Sequence, residues 1–319
     1  LKIKEVQRVP KHMTTIGGQA LIEGVMMKGP KDIAIAVRKP NQEIEVKKQT
    51  LDTPSTKHKI LKLPFIRGVV GLIEAMVIGT KSLMYSAEFY DEEYEKSKFE
   101  EYVEKKYNDK EKVQNLEMFF TLLLSLLIVV VVFMMIPTFL TNLFKKVIDS
   151  PILLNLVEGL IRIIIFLTYI TVISKMEDVE RVFEYHGAEH KTIHCYEAEE
   201  ELTVENVKKY PILHPRCGTS FLFMVMIVSI LVLSFFGWPS PLKRFLIRIL
   251  MLPVIAGISY EINRLIGRSN SRLAYILSYP GLGLQKLATT REPDDEQIEV
   301  AIEALKGVLV EDEEADLWK

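Results

Sequence analysis

The sequence predicts a mainly α-helical, polytopic membrane protein with about four transmembrane helices and a small N-terminal α+β lobe on the cytoplasmic side. Three observations predict it. Met118–Phe144 and Cys217–Leu242 contain no Asp, Glu, Lys or Arg, and about 20 apolar residues suffice for a helix to cross a bilayer. Lysine and arginine crowd one set of span flanks more than the other. Ile33–Val37 and Ile44–Val46 alternate like short strands around the turn-rich Lys39-Pro40-Asn41-Gln42.

Taken in order, residues 1–60 form the N-terminal lobe with its β-hairpin. Leu1–Lys11 is basic but no apolar run follows, so no cleavable signal segment is expected. Residues 61–115 hold two helical stretches. Leu63–Ser82 is apolar but interrupted by Arg67, Glu74, glycines and a proline. It reads as an interfacial or re-entrant helix, or equally as a buried helix of the lobe. Glu88–Gln114 is dense in Glu and Lys with Phe89, Tyr90, Tyr94, Phe99, Tyr102 and Tyr107 interleaved, a solvated amphipathic helix.

Residues 116–260 are the membrane domain, with spans at Met118–Leu140, Ile152–Ile173, Phe221–Phe236 and Leu242–Tyr260. Lys105, Lys106, Lys110 and Lys112 precede the first span, and six lysines or arginines lie between the second and third. Arg264, Arg268 and Arg272 follow the fourth. The other flanks carry Lys145, Lys146, Lys243 and Arg244, with Arg248 just inside. This bias puts both termini and the loop 174–220 in the cytoplasm of a multi-pass inner-membrane protein. The tail, 261–319, starts a helix at Pro293-Asp294-Asp295-Glu296, with Ile298, Ala301, Ile302, Leu305 and Val308 at helical spacing. Glu311–Asp316 reads as a solvated end.

A net charge of −2 over 319 residues excludes strong bulk attraction to nucleic acid. The only cysteines, Cys195 and Cys217, share one loop and are expected as thiols.

The chemistry concentrates in Glu184-Tyr185-His186-Gly187-Ala188-Glu189-His190-Lys191-Thr192-Ile193-His194-Cys195, within the loop that also holds His214. His186 to His190 spells H-x-x-E-H, the order of inverted zinc proteases. Residues four apart share a helix face, so two imidazoles can grip one divalent metal such as zinc while Glu189 acts as base. His194 continues the series, but lies roughly 12 Å from His186 along a straight helix, too far for one ion to take both. Either the helix breaks, at a point where Gly187 weakens it, or one adjacent pair binds. His214, Cys217 and Glu261 are candidate further ligands. The bland alternative is a polar juxtamembrane helix whose histidines pair with Glu184, Glu189 and Glu197.

Two further constellations stand out. Glu158 and Arg162, four apart within the second span, can pair on one face beside Asn155. They form either a polar pathway or substrate anchor, or a structural ion pair. The glycine-rich segment Gly17 to Pro30 contains Glu23, a ligand or base if it is not simply part of a tight turn.

Gly17-Gly18-Gln19-Ala20-Leu21-Ile22-Glu23-Gly24-Val25-Met26-Met27, Tyr185-His186-Gly187-Ala188-Glu189-His190-Lys191, His214-Pro215-Arg216-Cys217-Gly218-Thr219-Ser220 and Thr290-Arg291-Glu292-Pro293-Asp294-Asp295 follow one another along the chain. In these four motifs the chain resembles the bacterial YqhQ family, over nearly its whole length. The resemblance implies a bacterial inner-membrane protein, in a family of unknown function labelled metal-dependent enzymes. It names no substrate.

Three function classes follow. The first is a membrane-bound, metal-dependent and hydrolytic enzyme using the histidine-rich loop. The second is a non-enzymatic factor for membrane-protein assembly or scaffolding, with membrane-protein partners. The third is a transporter or lipid-handling homo-oligomer using Glu158 and Arg162. Membrane lipids are expected partners of all three.

Overall fold

The computed structural model describes residues 11–90, 120–121, 123–269, 271–310 and 315–317. The chain divides into two compact units that interleave along the sequence.

The first unit gathers residues 11–90, 167–229 and 250–317. At its centre is an antiparallel four-stranded meander: β1 (Gly17–Leu21), β2 (Gly24–Lys28), β3 (Asp32–Arg38) and β4 (Ile44–Thr50), in that order. The central strands are buried on both faces, which is why Val25-Met26-Met27 and Ile33–Val37 read as nearly continuous apolar runs. Val25, Met27, Ala34 and Ala36 face one core, and Leu21, Met26, Ile33, Ile35 and Val37 the other.

The second of these cores is covered by α1 (Ile66–Ala87), through Ile78 and Tyr85. This stretch, interrupted in sequence, folds as one unbroken helix. Two of its glycines serve contact rather than breakage, since Tyr260 packs directly on Gly68 and Gln19 on Gly79. The buried side of α1 is small or polar (Gly68, Glu74, Ser82, Ser86), while Ile73, Met76, Val77 and Met84 are exposed.

The first core is closed by α4 (Glu177–Glu197) and α8 (Asp295–Lys306). α8 begins at the expected place. Asp294 and Gln297 form a reciprocal capping box, and Ile298, Ala301, Ile302, Leu305 and Val308 are all buried. One expectation fails at the tail: Asp316 is fully buried, accepting from Thr14 Oγ1 (2.7 Å) and Tyr196 (3.0 Å) and meeting His12. A carboxylate so well supplied with partners has no need of solvent. Glu311–Glu314 and residues 91–114 of the expected charged helix lie outside the described residues.

Apolar helices make up the rest: α2 (Leu123–Lys146), α3 (Pro151–Ile173), α5 (Gly218–Ser234), α6 (Pro241–Gly267) and the short α7 (Arg272–Leu284). α1, α2, α3 and α6 are each long and apolar enough to cross a membrane, and α5 is a shorter apolar helix of 17 residues. The expected third span is therefore the short one, and α1 joins the set. α2 leaves nearly all its apolar surface uncovered, Leu123, Leu124, Leu126, Leu127 and Ile128 among it. Water would penalise such a surface and lipid accepts it. The protein is a polytopic α-helical membrane protein with a small N-terminal sheet.

The second unit contains residues 120–166, apart from the undescribed position 122, and 230–249. Within it, α2 contains a π-turn at Val131–Met135, just before Pro137. Pro137 cannot donate to the Phe133 carbonyl four residues back, and Arg162 Nε occupies that carbonyl at 3.2 Å.

α4 stays regular through Gly187, so of the two alternatives for this helix the break does not occur. Gly187 is needed because the Arg291 carbonyl lies where a Cβ would be. Gly187→Ala is expected to cost about 1–3 kcal/mol, the usual overpacking range, read as a lowered melting temperature of the detergent-purified protein. An unchanged melt would show that this crossing is not tight.

Candidate metal centre

α4 places His186, His190 and His194 on one stripe, because residues four apart recur on the same face of a helix. His190 is buried and His186 and His194 are half-buried, and their polar atoms are answered one at a time by backbone. His186 Nδ1 meets the Thr289 carbonyl at 2.7 Å, and His190 Nδ1 the Ile212 carbonyl at 2.6 Å. His194 Nε2 meets the Leu213 carbonyl at 2.9 Å. A carbonyl only accepts, so each of these ring nitrogens carries the proton and the other keeps its lone pair. A backbone carbonyl on the far nitrogen is the usual support for a metal-binding imidazole.

The freed atoms of His186 and His190 converge with Cys217. His186 Nε2 is 3.2 Å from Cys217 Sγ, and the ligand atoms of all three residues lie within 4.8 Å of one another. His190 Nε2 is sealed from solvent and has no hydrogen-bond partner; the same is true of Glu189 Oε2. Buried polar atoms are rarely left so, and a cation among them would answer the nitrogen. Glu189 stands beside the trio, Oε2 at 4.0 Å from His186 Nε2, its Oε1 accepting the Gly18 N–H at 2.9 Å. Gly18 is a requirement of this arrangement, since a Cβ there would press on the Met26 carbonyl and the Glu189 carboxyl. Two histidines and one cysteine are donors of the kind zinc takes, and three is the number of protein ligands in a catalytic zinc site.

A second group, His194, Glu197 and His214, is equally compact. Its chemistry differs. Glu197 is already bound through both oxygens by the Arg216 guanidinium and accepts the Thr14 N–H at 3.1 Å. His214 Nδ1 accepts the Arg216 N–H at 3.3 Å, so in the neutral ring Nε2 holds the proton and faces Glu197 at 3.5 Å. Glu197 is neutralised by arginine and the His214 lone pair is spent, which makes this the weaker of the two groups, although His214 Nε2 is also sealed from solvent without a hydrogen-bond partner and His194 keeps a lone pair on Nδ1. This group instead pins the loop that presents Cys217.

The electrostatics fit neutral, donating ligands. Burial lowers His190 to about 4, lowers His194, and holds His214 well below the usual imidazole range. Burial raises the Cys217 thiol, but His190 and the hydroxyl and N–H of Thr219 (3.3 and 3.5 Å) outweigh it and lower it overall. Burial raises Glu189 to about 7, against the pull of His186.

The other expected site residues lie elsewhere. Glu261 is taken by Arg67 and the Phe65 N–H, and so is not brought to the histidines. Glu23 sits at the β1–β2 corner with a positive φ of 49°, bound to Arg181 and, at 3.1 Å, to the Tyr185 hydroxyl. Glu158 and Arg162 do pair, at 3.4 Å, and Arg244 and Arg248 join them on the same carboxylate. Flank-charge reading had counted those two arginines only for orientation. Gly18 and the carbonyls of Ile212, Leu213 and Thr289 escaped notice because backbone groups leave no mark in a side-chain pattern. Only the paired Gly17-Gly18 hinted at a close approach.

Fold and cluster together define a class: an α-helical membrane protein whose sheet-packed helix carries a buried histidine–cysteine constellation. Residues 63–311 match the family described as a protein of unknown function, DUF1385. The chain is 37% identical, over 298 residues and 92% of each chain, to the uncharacterized protein YqhQ of Bacillus subtilis (strain 168). The chain belongs to this family. No solved structure matches it.

The depressed histidines carry a pH signature. His190, His194 and His214 bind fewer protons folded than unfolded, so the metal-free protein loses stability as pH falls below 6.5. For His190, 6.5 to about 4 corresponds to about 3 kcal/mol. Glu189 opposes this: raised to about 7, it binds more protons folded, and stability grows as pH falls from there towards 4.5. The chelator-treated protein is expected to melt lower at about pH 5 than at about pH 7, and Glu189→Gln to steepen the drop. A flat profile in both would contradict burial of neutral histidines.

Proposed function

We propose that this protein is a membrane-bound, metal-dependent enzyme of hydrolytic type, with His186, His190 and Cys217 holding a divalent cation, zinc by the donor set. The observation that carries the reading is the convergence of these three ligand atoms, two of them on imidazoles whose far nitrogens are fixed by carbonyls. A divalent ion in such a place supplies Lewis acidity and a low-pKa water. Glu189 is the general base. Its partnerless Oε2 faces the trio, and an affinity near neutral pH suits a group that must both take and release a proton.

We place this centre on the cytoplasmic face of a bacterial inner membrane, with both termini on that side. The lysine and arginine bias supports it. So does the packing of the N-terminal sheet, α4 and α8 in one unit, which favours a single side of the bilayer for all three.

Elemental analysis of detergent-purified protein tests the proposal. The wild type is expected to carry close to one equivalent of metal, His186→Ala/His190→Ala essentially none, and His194→Gln the wild-type amount. No metal in any of the three would return the histidines to a structural role. Loss in His194→Gln alone would move the ion to the second group.

A further inference from the structure

The second unit holds an arrangement of charge that an ion pair does not explain. Three guanidiniums surround one carboxylate. Arg244 binds one oxygen of Glu158 and Arg248 the other, while Arg162 approaches from 3.4 Å. Thr138 adds a hydroxyl at 2.8 Å. The set therefore carries a net charge of +2, and a guanidinium stays protonated at neutral pH. The side chains of Arg244, Arg248 and Arg162 are 6%, 12% and 17% exposed, on helices long and apolar enough to span a membrane. Uncompensated charge at such depth is costly, and a structural lock would need only one arginine for one glutamate.

The geometry also leaves donors to spare. Each guanidinium has five N–H groups, whereas their acceptors here are two carboxylate oxygens, the Thr138 hydroxyl and the Phe133 carbonyl. None of these arginine nitrogens is both sealed from solvent and partnerless, so each nitrogen that makes no hydrogen bond reaches some surface. Arg162 lies four residues after Glu158 on α3, and Arg248 four after Arg244 on α6. Each helix thus presents its pair along one face. The position is that of a headgroup. Arg244 is in the first turn of α6, and its guanidinium stacks 3.4 Å from the Trp238 ring, in the connection where amphipathic aromatic residues mark a membrane boundary.

We propose that Arg162, Arg244 and Arg248, set by Glu158, form an intramembrane binding site for a phosphate group, the phosphodiester of an anionic phospholipid or free inorganic phosphate. Arginine forks match phosphate oxygens in pairs. Glu158 acts as the positioning residue. It holds the guanidiniums side by side and keeps their mutual repulsion within bounds until the anion binds.

The test is melting of the detergent-purified protein titrated with phosphatidylglycerol, phosphatidylcholine or inorganic phosphate. Phosphatidylglycerol is expected to raise the melting temperature and phosphatidylcholine not to. A rise with inorganic phosphate as well would assign the site to phosphate of either source. Arg162→Gln/Arg244→Gln, which cancels the excess charge, is expected to weaken the response at least tenfold. Lys145→Gln/Lys146→Gln, which removes two exposed charges outside this cluster, is expected to retain it. Native mass spectrometry of the wild type covers variants that fail to fold, and co-purified anionic phospholipid is expected there over zwitterionic. No shift with either phosphate source, together with no preference for anionic lipid in the wild type, would overturn the proposal.

Discussion

The structure depends on one constraint: α4 is a polar helix that is buried. Its sequence reads as a surface segment, yet Glu189, His190, Lys191, Thr192 and Glu197 lie inside. Buried polar groups are tolerated only with partners. Much of the surrounding chain supplies them, through the Ile212, Leu213 and Thr289 carbonyls on the histidines, Arg216 and Thr14 on Glu197, and the Lys208 carbonyl and Glu292 on Lys191. The loop before α5 and the segment after α7 take their paths in order to serve this helix.

The same constraint explains the glycines at the two crossings of α4. Gly18 lets β1 come close enough to give its N–H to Glu189, and Gly187 lets the Arg291 carbonyl rest against the helix itself. A side chain at either point would push a neighbouring element away and leave polar atoms of α4 unpaired. What remains unpaired after all this provision is informative. His190 Nε2 and Glu189 Oε2 lie at the place where the lone pairs of His186 and Cys217 also point. Four other buried side-chain atoms among the described residues also lack a partner, His214 Nε2 and Thr289 Oγ1 among them, so what sets this pair apart is the convergence of His186 and Cys217 on the same place.

Inside the bilayer the rule is the same but the remedies are fewer, because lipid offers no hydrogen bonds. Arg162 takes the carbonyl that Pro137 frees, Asn155 takes those of Pro151 and Gly237, and Glu158 is surrounded by donors. Charge is the quantity left unbalanced there, in contrast to the histidine cluster, where the free quantity is lone pairs.

The membrane class, the α8 helix with its cap, and the placing of His186 and His190 on one helix face were legible in the chain. Each rests on local physics: uncharged runs of spanning length, an acidic start before a 3.6-residue period, and a four-residue spacing that sets two imidazoles on one helix face. Leu63–Ser82 is helical as expected, but its glycines hid its length, since glycine lowers helix propensity and the packing of α1 on the sheet offsets that cost. Folding alone decided which histidines keep their lone pairs, since carbonyls more than 15 residues away in sequence choose the tautomers. It also withdrew Glu261 to Arg67 and gathered Arg244 and Arg248 onto Glu158. Contacts made by backbone atoms, or between residues some 90 or 200 positions apart, follow from how elements pack, and no periodicity along the chain encodes them.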